Sequence, residues 1–260
     1  MYMMGWGVAR DYTQAVAWYR KAAEQGGDTA QYNLGMMYMM GWGVSRDDAQ
    51  AVAWYRKAAE QRNAFAQFSL GVMYNDGKGV ERDHAQAVAW FRKAAEHGYA
   101  PAQRKLGLMY ANGRGVARDD EQAVAWFRKA AEQGYADAQF GLGAMYEDGR
   151  GVARDDAQAV AWYRKAADQG DAGAQSNLGL MYIMGRGVTQ DDAQAVAWFR
   201  KAAEQGGVGG QNNLARCYET GEGVARDDAQ AVAWYRKAAE QGSTEAQEAL
   251  RRMEASGRGK

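Results

Sequence analysis

A ten-residue segment, AVAWYRKAAE at 15–24, returns at 51–60, and as AVAWFRKAAE at 87–96, 123–132 and 195–204. AVAWYRKAAD stands at 159–168 and AVAWYRKAAE again at 231–240. Seven Trp are thereby set 36 residues apart: Trp18, Trp54, Trp90, Trp126, Trp162, Trp198 and Trp234. A second block, Ala-Gln-x-x-Leu-Gly-x-Met-Tyr-x-x-Gly, starts at Ala30, Ala66, Ala102, Ala138 and Ala174, with looser copies from Gly210 and Ala246. A fixed period of this length restricts the chain to stacked copies of one supersecondary unit.

Each block has helical spacing. Ala30, Leu34, Met37 and Tyr38 fall at i, i+4, i+7 and i+8, one face of a helix. Asn63, Asp171 and Ser243 precede their copies as N-caps, and Pro101 sits in a first turn where its missing N–H costs nothing. Gly41, Gly77, Gly113, Gly149, Gly185 and Gly221 end the block as left-handed C-caps. Asp47-Asp48-Ala49-Gln50 opens the next helix as a variant of the capping box. There Ala51, Trp54, Tyr55, Ala58 and Ala59 give the apolar face.

A helical hairpin of this size cannot bury its own face, and stacking its copies does so. The reading is an all-α solenoid. Its expected division is a partial repeat at 1–26 and full repeats at 27–62, 63–98, 99–134, 135–170, 171–206 and 207–242. A capping half-repeat, 243–260, completes it.

Gly35, Gly71, Gly107, Gly143 and Gly179 lie inside first helices, where Gly costs about 1 kcal/mol relative to Ala. A cost repeated in five copies points to close approach by a neighbouring helix backbone or Trp ring.

Leu-Gly-x-Met-Tyr-x-x-Gly-x-Gly-Val followed by Ala-x-x-Trp-[Tyr/Phe]-x-x-Ala-Ala-x-x-Gly resembles the Sel1-like repeat, a relative of the tetratricopeptide repeat, over essentially the whole chain. The resemblance implies a right-handed superhelix of antiparallel helix pairs and a role as a protein–protein adaptor, often in bacterial envelope, host-interaction or signalling settings. A cysteine-rich branch of that family carries one disulfide per repeat, and this chain departs from it, with Cys217 alone.

Composition narrows the function. Thirty-two basic and 32 acidic side chains give zero formal charge, which argues against a general nucleic-acid binder. The longest stretch without charge, 29–45, is shorter than the ~20 apolar residues that span a bilayer. One cysteine does not report a redox compartment, and no localisation is assigned.

The ends differ. Residues 1–10, MYMMGWGVAR, nearly duplicate 37–46, MYMMGWGVSR, so the helix carrying Trp18 is expected to lack most of its partner. Self-association through that uncapped end, or a lost N-terminal extension, would cover it. At the other end Arg251 and Glu254 replace the Gly and Tyr of the repeat, as a polar solenoid cap requires.

Catalytic residues, cofactors and metal sites are not expected. His84 and His97 are one-off substitutions at helix ends, and Cys217 takes the core slot of Met37. Asp119-Asp120 and Asp155-Asp156 serve helix starts. Two basic rows recur along the stack, namely Arg10, Arg46, Arg82, Arg118, Arg154 and Arg226, then Lys78, Arg114, Arg150 and Arg186. They read either as loop solubility, the first row pairing with the Asp that follows it, or as an edge for an acidic partner.

Variation between copies concentrates on one stripe of the first helices. It reads Tyr32, Met36, Met39; Phe68, Val72, Asn75; Arg104, Leu108, Ala111; Phe140, Ala144, Glu147; Ser176, Leu180, Ile183; and Asn212, Arg216, Glu219. In tetratricopeptide-like solenoids first helices line the concave surface, so by resemblance this stripe would line a groove for an extended peptide or a partner helix. The alternative is that part of it, especially Met36, Leu108 and Leu180, packs between repeats. The leading function is thus a non-enzymatic scaffold for a protein or peptide. A helical-repeat RNA reader and a cell-wall or peptide hydrolase are the lesser alternatives.

Overall fold

The structure is a computed structural model, and it describes residues 11–258. The near-duplicate segment 1–10, Arg10 included, lies outside the described residues. Those residues form fourteen α-helices and no strand. The chain divides into two compact units, Met1–Ala130 and Ala131–Lys260.

In the first unit α1 (Tyr12–Glu24), α3 (Asp48–Glu60) and α5 (His84–Glu96) carry the Trp block. They alternate with α2 (Asp28–Met40), α4 (Ala64–Asp76) and α6 (Ala100–Asn112), and α7 (Asp120–Glu132) spans the division. In the second unit α8 (Ala136–Asp148), α10 (Ala172–Met184), α12 (Val208–Thr220) and α14 (Thr244–Ala255) are first helices. Between them stand α9 (Asp156–Asp168), α11 (Asp192–Glu204) and α13 (Asp228–Glu240). Within each unit consecutive helices pack on one another, as in an α-solenoid.

The helix ends follow the sequence closely. Asn63, Asp171 and Ser243 accept from the N–H three residues on, and Pro101 lies in the first turn of α6. All six C-cap glycines are left-handed. The capping box is only half made. Asp47 Oδ1 accepts from Gln50 N at 2.9 Å, but the N–H of Asp47 goes to Tyr38 O at 3.0 Å. The same backbone bond recurs from Asp83 to Tyr74 and from Asp191 to Tyr182, so α3, α5 and α11 are each tied to the helix before them rather than to their own third residue. Asp171→Ala, which removes a cap and leaves a backbone N–H without its acceptor, is expected to lower stability by about 1 kcal/mol, read as a shifted urea midpoint.

The core is built from the conserved slots of both helices. Leu34, Met37, Leu70 and Met73 are fully enclosed with Tyr55 and Phe91 in the first unit, as are Leu142, Leu178 and Met181 with Tyr163 and Phe199 in the second. The glycine inside each first helix makes room for one of these rings. A Cβ on Gly35 would stand 2.8 Å from the Tyr55 ring, on Gly107 2.9 Å from Phe127, and on Gly143 2.7 Å from Tyr163. Of the two neighbours expected here, the helix backbone is met, with Ala51 O 3.1 Å from a Cβ on Gly35, and the Trp ring is corrected to the aromatic that follows it. One residue along a helix turns the side chain by about 100°, which swings Trp54 and Trp162 out under Lys57 and Lys165, 4.1 and 3.8 Å from the ring centroids.

Candidate partner-binding face

The rings that fill the glycine gaps reach through to the variable face. In the first unit Tyr32 lies 5.7 Å from Tyr55 and 5.9 Å from Phe65, while Phe65 lies 5.1 Å from Tyr99. Phe68 lies 5.6 Å from Phe91 and 5.2 Å from Tyr99. Tyr32, Phe65, Tyr99 and Phe68 therefore form one aromatic strip across α2, α4 and the N-cap of α6. Edge and tilted contacts of this kind are worth about 0.5–1.5 kcal/mol beyond burial. Phe65 stands out from it, 52% exposed.

Neither Phe65 nor Tyr99 was singled out by the stripe. Phe65 precedes Phe68 by three residues, at a slot that holds Thr29, Pro101 and Asp137 in other copies. That variation was visible, but the i, i+4, i+7 template passed beside it. Met36, Val72, Arg104 and Leu108 are half-buried on the same helices, and Asn75 donates to Asp76 at 2.8 Å.

The second unit offers a more polar face. Phe140 packs 5.8 Å from Tyr163, and Leu180 lies half-buried against the core around Phe199. Glu147 accepts from the Tyr163 hydroxyl at 2.7 Å and from Arg186 Nη1 at 3.1 Å. Arg216 lines an open cleft with Glu219, Glu245 and Arg252. Asn212 is placed differently from the groove expectation. It is 7% exposed, and its amide nitrogen donates to Ser243 Oγ at 2.9 Å and to Glu245 Oε2 at 3.3 Å. The first turn of α14 covers it, so it holds the last helix pair together.

The first basic row is mostly paired two residues on. Arg46 meets Asp48 at 2.9 Å, Arg118 meets Asp120 at 2.7 Å and Arg226 meets Asp228 at 2.9 Å. Exposed pairs of this kind contribute about 0–1 kcal/mol, and they neutralise the loop edge. Asp156 is gripped from two sides, by Arg186 and by Arg154, whose hydrogen bonds hold its carboxyl well below the usual range. That grip is present above the unfolded carboxyl pKa and is lost as pH falls through the folded one. Acid therefore loosens this loop.

Cys217 is fully enclosed and burial pushes its thiol up to about 11, away from the exposed, cationic setting that activates a thiolate. Among the described residues no three His, Cys, Asp or Glu side chains converge as metal ligands, and no helix is long and apolar enough to cross a membrane.

With this geometry in view, comparison with known proteins gives a consistent answer. The model of the Sel1 repeat matches residues 1–27, 28–63, 64–99, 100–135, 136–171, 172–207 and 208–243. The chain belongs to the Sel1 repeat family. Proteins of this family are generally protein-interaction scaffolds.

A protective antigen of uropathogenic Escherichia coli strains, whose crystal structure displays an SLR fold, is similar at 44% identity and a TM-score of 0.87. That match covers 95% of this chain and 53% of the antigen, so the chain spans about half the antigen's length. A Sel1 repeat protein from Oxalobacter formigenes is similar at 41% identity and a TM-score of 0.81, over 97% of this chain and 73% of that one. An immunity protein from Pseudomonas aeruginosa follows at 26% and 0.51, over 73% of this chain and 72% of that one. No curated protein matches the chain.

Proposed function

We propose that this Sel1 repeat chain is a non-enzymatic scaffold that holds a protein or peptide segment along the variable face of its first helices. The observation that carries the reading is the aromatic strip from Tyr32 through Phe65 and Tyr99 to Phe68, with Phe65 half out of the structure. Aromatic anchors on a rigid backbone supply most of the energy in such interfaces. Met36, Val72 and Leu108 extend the apolar contact in the first unit. In the second unit Phe140 and Leu180 are the apolar contacts, and Arg104 in the first unit and Glu147 and Arg216 in the second add polar register. Asn212 takes no part.

A protein partner suits this face better than RNA. The formal charge is zero and Arg46, Arg118 and Arg226 are paired with neighbouring aspartates, which leaves little excess charge to displace counterions. The test is a displayed peptide library selected on the chain, with affinities then measured by calorimetry. Phe65→Ser is expected to weaken the selected peptides at least tenfold, about 1.4 kcal/mol, while leaving the melting curve unchanged. Peptides indifferent to Phe65→Ser and to Phe68→Ala, or tight binding of single-stranded RNA at low salt, would overturn the proposal.

A further inference from the structure

The second unit contains a four-residue network that it builds twice. Arg186 donates through Nε and Nη2 to Asp156 at 3.1 and 3.0 Å and through Nη1 to Glu147 at 3.1 Å, and Glu147 also accepts from the Tyr163 hydroxyl at 2.7 Å. Two repeats later the pattern returns. Arg258 lies 3.2 Å from Glu219 and 4.0 Å from Asp228, and Glu219 accepts from the Tyr235 hydroxyl at 3.0 Å. In both copies a loop arginine is filled by two carboxylates, one of which is fixed by a tyrosine. This chain thus shows what its own fold places around an arginine in that slot.

Two repeats before Arg186, the slot holds Arg114, and every partner has changed. Asp156 is matched by His84, Glu147 by Asn75 and Tyr163 by Phe91. Arg114 Nε donates to His84 Nε2 at 3.2 Å. Its two terminal nitrogens have no partner, and no carboxylate lies within ion-pair distance of it among the described residues. His84 Nδ1 is buried with no partner.

The same change removes the aspartate that Arg46, Arg154 and Arg226 use, so Arg82 reaches only to the carbonyl of Asp76 at 3.5 Å. A small hollow lies beside Arg114, lined by Asn75, Phe91, Lys105, Leu108 and Met109. Arg114 and Lys105 therefore border a small hollow of mixed polar and apolar lining at a place where sister copies supply two carboxylates from within.

We propose that this hollow is a binding site for a carboxylate from outside the chain, carried by an acidic residue that has an apolar neighbour. The carboxylate takes the terminal nitrogens of Arg114 in the bidentate way that arginine favours, and the neighbour lies on Leu108. The source is either an internal Glu or Asp side chain or a free chain terminus. The site rests on the scaffold reading only for the ligand being a peptide, and its chemistry stands without the aromatic strip.

The experiment is a titration of the full chain, followed by the Nε–H resonance of Arg114. The probes are Ac-Leu-Glu-Leu-NH2, Ac-Leu-Gln-Leu-NH2, Ac-Leu-Leu-OH and inorganic phosphate. A saturable shift with the Glu peptide and none with the Gln peptide is expected, and the free-terminus probe tells the two sources apart.

The deciding variant carries Asn75→Glu and His84→Asp. It keeps Arg114, supplies the missing carboxylates from within and should melt no lower than the parent. It is expected to lose the Glu-peptide response at least tenfold, and Arg114→Gln, which lacks that resonance, to bind the Glu peptide at least tenfold more weakly by calorimetry. An unchanged response in the self-filled variant, equal response to the Gln peptide, or stronger response to phosphate would overturn the site. Failure here with Phe65-dependent peptides intact would remove the carboxylate site and leave the scaffold reading standing.

Discussion

Gly187→Ala is expected to lower the stability of the second unit by about 3 kcal/mol or more. Gly187 is the second glycine of a Gly-x-Gly loop, at φ +66°, and a Cβ there would run into the carbonyl of Asp156 at the start of α9. The left-handed backbone alone costs a non-glycine residue about 1–2 kcal/mol. The clash adds about 1–3 kcal/mol of overpacking, and its partner is backbone that carries the first turn of a helix and cannot swing away. The same contact recurs at Gly79 with Asp48, at Gly115 with His84 and at Gly223 with Asp192, so this glycine sets how closely one repeat's loop sits on the previous repeat's helix.

Gly206→Ala is the control. Its φ is +85° but nothing lies within 4 Å of the added carbon, so it should show only the backbone part. Urea unfolding of the two variants measures the difference. Equal losses would mean that the loop contact contributes nothing.

Gly179→Val should be nearly as damaging for a different reason. Its Cβ would stand 2.5 Å from Phe199 Cε1 and 2.7 Å from Cδ1, and Phe199 is fully enclosed. Valine recovers a few tenths of a kcal/mol of helix propensity over glycine. Against this stands overpacking of about 1–3 kcal/mol against a ring with no empty space to enter, so the clash wins. Adding Phe199→Ala, which by itself opens a cavity worth about 3–5 kcal/mol, should cost much less in the Gly179→Val background. Thermal melts of the two singles and the double give the coupling. Strict additivity would show that the glycine and the ring do not share one space.

The repeat architecture was legible because its signals are local and were printed several times. Asn63, Asp171 and Ser243 cap where capping chemistry puts them, and six glycines end helices in the left-handed region. What misled were choices between adjacent residues. The period shows that some ring must meet Gly35 or Gly107, but Trp54 and Tyr55 both belong to the apolar face, and only packing decides which turns inward. Likewise Gln50 satisfies the capping-box pattern, while Tyr38 O, distant in the pattern but near in the hairpin, takes the N–H instead.

The face was half legible. Tyr32 and Phe68 fell on the stripe, yet Phe65 and Tyr99, which join them into one strip, sit a turn earlier and near an N-cap. Asn212 fell on the stripe but is enclosed by Ser243 and Glu245, at the start of α14, whose approach no single repeat reveals. The carboxylate network was invisible for the same reason. It joins residues 30 and 39 positions apart in sequence, beyond any one hairpin.

The most direct test of the scaffold account is hydrogen–deuterium exchange on the chain with and without a peptide selected on it. The account predicts slowed exchange in α2, α4 and the start of α6, where Tyr32, Phe65, Phe68 and Tyr99 stand, with α3 and α5 unchanged on their Trp-bearing side. The Phe65→Ser chain should show no slowing at the same peptide concentration. Protection confined to the Trp-bearing helices, or protection of the first helices that survives Phe65→Ser, would contradict it.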